Sequence, residues 1–202
     1  MTTLNQIRSH SPCQEGWTKL LKHLGKTQGD DEPLSLLTIL ESNGLNDAIW
    51  CLRTEPTPER IQRFALAIVR RVEHLNPEAE ACNDVTERYL SGQATKAELV
   101  AARAAAANEA ADAAADAADA ADASAYTANE AASAAANTAA YAAAGTAASA
   151  AACAAANTVD ATYAAACYAA TCAANTADDA AARATYAAER KAQGQIFKEI
   201  FA

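Results

Sequence analysis

Apolar residues recur at helical spacing through the first ninety positions, and glycine, proline and small polar residues divide them into about five segments. In the first, Ser11 is read as a cap, Pro12 as the first helical position and Gln14 as capping-box partner. Trp17, Leu20, Leu21 and Leu24 then form one face before Gly25 ends the segment. The second begins near Glu32-Pro33 and carries Leu34, Leu36, Leu37, Ile39 and Leu40. It stops at Asn43-Gly44, a pair suited to the left-handed backbone of a helix C-terminus. A third runs from about Asn46 through Trp50 to Leu52. The fourth has Thr57 as cap and Pro58 at its first position, followed by Ile61, Phe64, Ala65, Ile68, Val72 and Leu75 at helical intervals. Pro77 marks the next boundary, and a short fifth helix from Glu80 to Leu90 closes at Ser91-Gly92. Residues 1–92 thus read as a globular helical domain.

The pattern changes after Gly92. Thr95 and Glu98 form a capping box directly ahead of Leu99-Val100, and more than half of positions 101–192 are alanine, with no proline after Pro77. Alanine has the best helix propensity and fits a pleated strand poorly, so the fold class is all-α. From Asp112 to Asn157 the non-alanine residues include a stripe at gaps of three or four, opposite a surface of methyl groups that lets helices approach closely. One continuous helix from Thr95 to Ala192 would be roughly 145 Å long at 1.5 Å per residue. A lone rod of that length is implausible for a monomer. Residues 93–202 are therefore read as long alanine-rich helices with an apolar C-terminal tail. They are expected to pack as a hairpin or bundle folded near Gly145 or Asn157, or as a rod paired with a second copy of the chain.

Composition sharpens this by exclusion. No stretch of about 20 strongly apolar residues occurs and the N-terminal residues lack an apolar leader core, so the expectation is a cytoplasmic protein with no membrane span. Cys13, Cys51, Cys82, Cys153, Cys167 and Cys172 are scattered without a C-x-x-C pair, which suits free thiols in a reducing compartment. His10, His23 and His74 are isolated, and neither a phosphate-binding glycine loop nor a dinucleotide fingerprint is present. These features point away from an enzyme and from any cofactor. Trp17 and Trp50 sit on apolar faces and read as core anchors.

Charge gives the candidate chemistry. The chain carries a net charge of -9, and between Arg103 and Arg183 there are nine carboxylates and no lysine or arginine. On a helix, Glu109, Asp112, Asp116, Asp119, Asp122 and Glu130 would lie within about 140° of one another and form one acidic face, with Tyr126 and Tyr141 on the same stripe. Like charges four residues apart cost a few tenths of a kcal/mol per pair, a repulsion nearby lysines would have relieved. Such a face could meet a basic or nucleic-acid-binding protein, or it could simply be solvated. One helix converges too few oxygens for a metal site. Arg60, Arg63, Arg70, Arg71 and His74 lie opposite the apolar face of the fourth helix. With acidic charge overall they read as an internal docking site for the acidic helix or as a solvated face with Glu59 and Glu73, not as a direct nucleic-acid site. The stretch around Asn43-Gly44-Leu45 is loosely like a helix-turn-helix, but Asn46, Asp47 and Ala48 offer phosphates no basic residue. Thr127, Thr138, Ser149, Asp160 and Thr171 fall eleven residues apart, a spacing similar to that of the ice-binding helices of fish, although two of the five are not threonine.

The segment from Ser11-Pro12-Cys13 through Gly16-Trp17, Leu20-Leu21-Lys22, Leu24-Gly25-Lys26 and Asp30 to Leu37, then Asn43-Gly44-Leu45 and Ile49 to Arg53, resembles an alanine-rich family recurrent in bacteria and their phages. Its members are commonly labelled immunity proteins. The resemblance extends loosely through Arg70 to Leu75 into the alanine tract, where this chain uses Asn, Thr, Ser and Cys in place of the family's aromatic and arginine spacing. It implies binding or inhibition, with no catalytic residues to carry over. The leading expectation is a non-enzymatic inhibitor or immunity-type protein, neutralising a toxin or serving phage anti-defence. Glu109, Asp112, Asp116, Asp119, Asp122, Tyr126, Glu130 and Tyr141 are its candidate partner-binding residues. The alternatives are an oligomerising scaffold built on the alanine seam and, more remotely, an ice-binding protein.

Overall fold

The computed structural model describes residues 1–71, 80–106, 108, 112, 166 and 179–202. Among these the chain is all-α: α1 (Leu4–Ser9), α2 (Gln14–Leu24), α3 (Leu36–Asn43), α4 (Leu45–Trp50), a 3-10 turn (Cys51–Thr54), α5 (Pro58–Arg70), α6 (Glu80–Leu90), α7 (96–106) and α8 (Asp179–Phe201). An isolated antiparallel bridge joins Thr2 to Leu34. No helix among the described residues is long and apolar enough to cross a membrane.

Several helix boundaries follow the sequence signals, and others yield to longer-range bonds. α5 begins at Pro58 behind Thr57 as expected, and α6 spans Glu80 to Leu90. At Thr95, the hydroxyl accepts from the Glu98 N–H at 3.2 Å while the Thr95 N–H donates to Glu98 Oε2 at 2.7 Å, completing the expected capping box. α2 starts later than its pattern implies. Ser11 lies at φ 56 and closes the turn after α1, and the cap is Cys13, whose Sγ accepts from the Gly16 N–H. α3 starts at Leu36 instead of near Glu32, because the Leu34 backbone is paired with Thr2 in both directions and Ser35 becomes the cap. α4 ends at Trp50, and Leu52 lies in the 3-10 turn. α1, absent from the sequence reading, is held by a Thr3–Gln6 capping box and two buried residues, Leu4 and Ile7.

The core gathers Leu4, Ile7, Leu20, Ile39, Ile49, Leu52, Phe64 and Ile68 from the first seventy residues with Phe197 and Phe201 from α8. The phenyl ring of Phe64 meets Phe197 edge-on at 5.3 Å and Phe201 at 5.8 Å. The apolar tail therefore shares one core with the N-terminal helices. In a second, smaller cluster, Cys82 of α6 packs against Ala102 and Ala106 of α7. α5 touches both α6 and α8. The proposed fold-back points, Gly145 and Asn157, lie outside the described residues.

The arginine face of α5 fastens this arrangement. Arg60 Nε donates to the Ile200 carbonyl at 3.1 Å, satisfying one of the carbonyls that a helix C-terminus leaves unpaired, and its guanidinium lies 4.9 Å from the centre of the Phe201 ring. Arg63 donates to the Leu90 carbonyl, Arg70 to Asp84 and Glu87, and Arg71 Nε to both oxygens of Glu189 at 2.9 and 3.0 Å. The partners of these four arginines lie on α6, at its end or on α8, whereas the acidic helix expected to dock on this face lies, apart from Asp112, outside the described residues. His74 lies outside the described residues.

Candidate functional site

Of the acidic stripe, Asp112 is helical and exposed. Glu109, Asp116, Asp119, Asp122, Tyr126, Glu130 and Tyr141 lie outside the described residues.

A second candidate lies in the bundle, where α2, α3 and α4 meet. Asn43 ends α3, and Gly44 turns the chain at φ 96, a backbone angle that favours glycine, so that α4 starts at once. Asp47 is consequently in the first turn of α4, one helical turn beyond Asn43. The Asn43 amide nitrogen donates to the Gly16 carbonyl at 2.8 Å and to Asp47 Oδ2 at 2.7 Å, tying three helices together. Gly16 is needed for this contact. A Cβ there would fall 2.7 Å from Asp47 Oδ2 and 3.2 Å from Cys13 Sγ.

Around this tie is a cavity of about 360 Å³, lined by Ile7, Leu20 and Ile39 on its apolar side and by Trp17 and Trp50 at its flanks. Cys13, Asn43, Asn46, Asp47 and Arg53 supply the polar part of the lining. Its volume is near the lower end of the roughly 300–1,000 Å³ typical of small-ligand sites. Arg53 lies over the Trp50 ring at 4.8 Å and donates through Nη1 to the Trp50 carbonyl at 3.1 Å. Asn46 Oδ1 accepts from Arg190 of α8, linking the rim to the C-terminal helix. At the floor, burial first and the charge of Asp47 second push the Cys51 thiol up to about 12, so it stays protonated and inert near neutral pH. Cys13, at the rim, is exposed.

Trp17 and Trp50 do pack against the core, as their spacing suggests, yet both are half-buried and turn part of their surface to the cavity. The polar members of this site were not candidates in the sequence. Asn43-Gly44 reads there only as a helix stop, and nothing local indicates that Gly16, 27 residues earlier, lies beside it. Comparison with protein-family models, with curated proteins and with solved structures finds no match to this chain.

Proposed function

We propose that the chain is a non-enzymatic, protein-binding inhibitor of the immunity type, neutralising a toxin or a host defence protein. Its contact is the acidic stretch Glu109, Asp112, Asp116, Asp119, Asp122 and Glu130, with Tyr126 and Tyr141 as apolar anchors. What carries this reading is the opposite fate of the two signs of charge. Arg60, Arg63, Arg70 and Arg71 end on carbonyls or carboxylates of their own chain, whereas the stretch between Arg103 and Arg183 holds nine carboxylates and no lysine or arginine. The exposed position of Asp112 supports the same reading. A surface of this kind attracts a basic partner through long-range Coulomb forces, speeds association and loses strength as salt screens it. The partner is accordingly a basic protein, including one whose own function is to bind nucleic acid.

The test is capture of host proteins on the immobilised full chain at low and high salt, beside a variant with Asp112, Asp116, Asp119 and Asp122 changed to asparagine. A basic protein held at low salt, released at high salt and missed by the variant supports the reading. Equal capture by both chains sinks it, and self-association without a second protein would favour a scaffold.

A further inference from the structure

We propose that the cavity between α2, α3 and α4 binds a small organic cation, an ammonium or guanidinium group carried on an apolar body. The argument begins with which polar groups in the lining are already engaged. The Asn43 amide nitrogen serves both Gly16 and Asp47, and its oxygen accepts from Ser42 Oγ at 2.8 Å. Cys13 Sγ accepts from the Gly16 N–H. Arg53 is bound to the Trp50 carbonyl and stacked on the Trp50 ring, and it makes a further interaction besides. Two groups keep open capacity: Asn46, exposed at the rim, whose Oδ1 accepts from Arg190 while its amide nitrogen makes no hydrogen bond among the described residues, and Asp47, the one charged group of the two. Its Oδ2 accepts from Asn43, while Oδ1 has no hydrogen bond and no Lys, Arg or His nitrogen within 4 Å among the described residues.

The open charged group of the cavity is therefore a carboxylate oxygen, whose strongest partner is a charged donor. Two indole rings line the same cavity, and indole rings attract cations: Arg53 already lies over Trp50 in that way, and Trp17 carries no such contact among the described residues. The apolar wall of Ile7, Leu20 and Ile39 suits a hydrocarbon or aromatic body, and about 360 Å³ limits it to a small one. The same cation could come from a free amine or from a lysine side chain of a bound peptide. This site does not depend on the acidic stripe, so either proposal can fail alone.

Trp17 and Trp50 are the only tryptophans in the chain, so its intrinsic fluorescence reads occupancy directly. Full-length protein is titrated with phenethylamine, with its neutral N-acetyl derivative, with 3-phenylpropionate and with a capped Gly-Lys-Gly peptide. In parallel, alkylation of Cys13 at the rim by iodoacetamide is followed by mass spectrometry. The expected result is a saturable fluorescence change with at least one cationic probe, protection of Cys13 by that probe, and binding at least about tenfold weaker for the neutral and anionic compounds. Asp47→Asn should weaken the cation about tenfold while leaving helix content and melting unchanged. If that variant does not fold, the comparison of cationic and neutral probes on the native chain decides alone. Preference for the amine over the peptide assigns a free metabolite, and the reverse assigns a partner's side chain. Equal binding of neutral or anionic probes, or no saturable binding of either cation, overturns the proposal.

Discussion

In the bundle a few large side chains hold each helix: Phe64 alone meets Phe197 and Phe201, and Ile39, Ile49, Leu52 and Ile68 are fully buried beside it. Residues 101–192 carry alanine at more than half their positions. At about 25 cal/mol per Å² of buried apolar surface, a methyl group contributes a small fraction of what a phenyl ring does. The two regions also differ in what their charges meet. The arginines of α5 bind their own chain, while the acidic stretch has no basic residue of its own. The comparison teaches that cohesion and unbalanced charge are divided: the bundle with α8 supplies the first, and the sequence between Arg103 and Arg183 carries the second.

The strongest way to break that comparison is Phe197→Ala. If α8 and the N-terminal helices form one cooperative unit, removing a fully buried ring should cost about 3–5 kcal/mol and shift the denaturant midpoint by tryptophan fluorescence and by far-UV circular dichroism together. A bundle transition unmoved by the substitution, with only the helix signal weakened, would mean that the tail merely rests on the bundle.

Next in size is the contrast between two neighbouring arginines. Arg71 meets Glu189, whose side chain is only 7% exposed, while Arg70 meets Asp84 and Glu87 at 56% and 66% exposure. Arg71→Ala leaves a buried carboxylate without its cation. Because Arg71 itself is 41% exposed, water relieves part of that loss, and about 1–3 kcal/mol is expected. Arg70→Ala should cost below about 1 kcal/mol, since exposed pairs contribute little. Equal losses in urea melts would show that the link to α8 is no stronger than a surface ion pair.

The same contrast explains what the sequence made legible. The start of α5 could be read to the residue because its signals are local: Thr57 and Pro58, then Ile61, Phe64 and Ile68 at helical spacing, while its expected continuation through Val72 and Leu75 lies outside the described residues. The arginine face was legible as a face, but its partners were not, since Ile200 lies 140 residues from Arg60 and Glu189 lies 118 from Arg71. The starts of α2 and α3 moved for a related reason. Ser11 was taken by the turn after α1 and Leu34 by its bridge to Thr2, bonds that no local pattern encodes. The cavity is the extreme case. Gly16, Asn43 and Asp47 look like a helix residue, a helix stop and a surface acid until folding places them within hydrogen-bond reach of one another.

A smaller effect distinguishes the entry to the alanine-rich region from its anchor. Thr95 caps α7 through its hydroxyl, and Thr95→Ala should lower stability by about 1 kcal/mol, the usual value of such a cap. If α7 is the end from which the alanine-rich stretch frays, the loss should appear as faster amide exchange over residues 96–106 while α5 stays protected. Uniform acceleration throughout the bundle would instead make the cap part of the global unit.

The last and smallest effect is the pH dependence of that cap. Glu98 accepts from the Thr95 N–H and hydroxyl, and these two bonds hold its carboxyl below the ordinary glutamate value. A group with a lowered folded-state pKa stabilises the fold while ionised. Its contribution is therefore complete above the unfolded value, about 4.3, and is lost as the pH falls through the lower folded one. Exchange in α7 should accelerate in acid beyond the intrinsic pH trend, and Glu98→Gln should remove most of that excess because a carboxamide oxygen can still accept both bonds without titrating. The side chain is fully solvated, so the shift belongs to the cap alone and should not move the midpoint of the Phe64–Phe197 core. An acid-induced loss of the core in step with α7, absent in the Glu98→Gln chain, would instead place the start of the alanine-rich region within the cooperative unit.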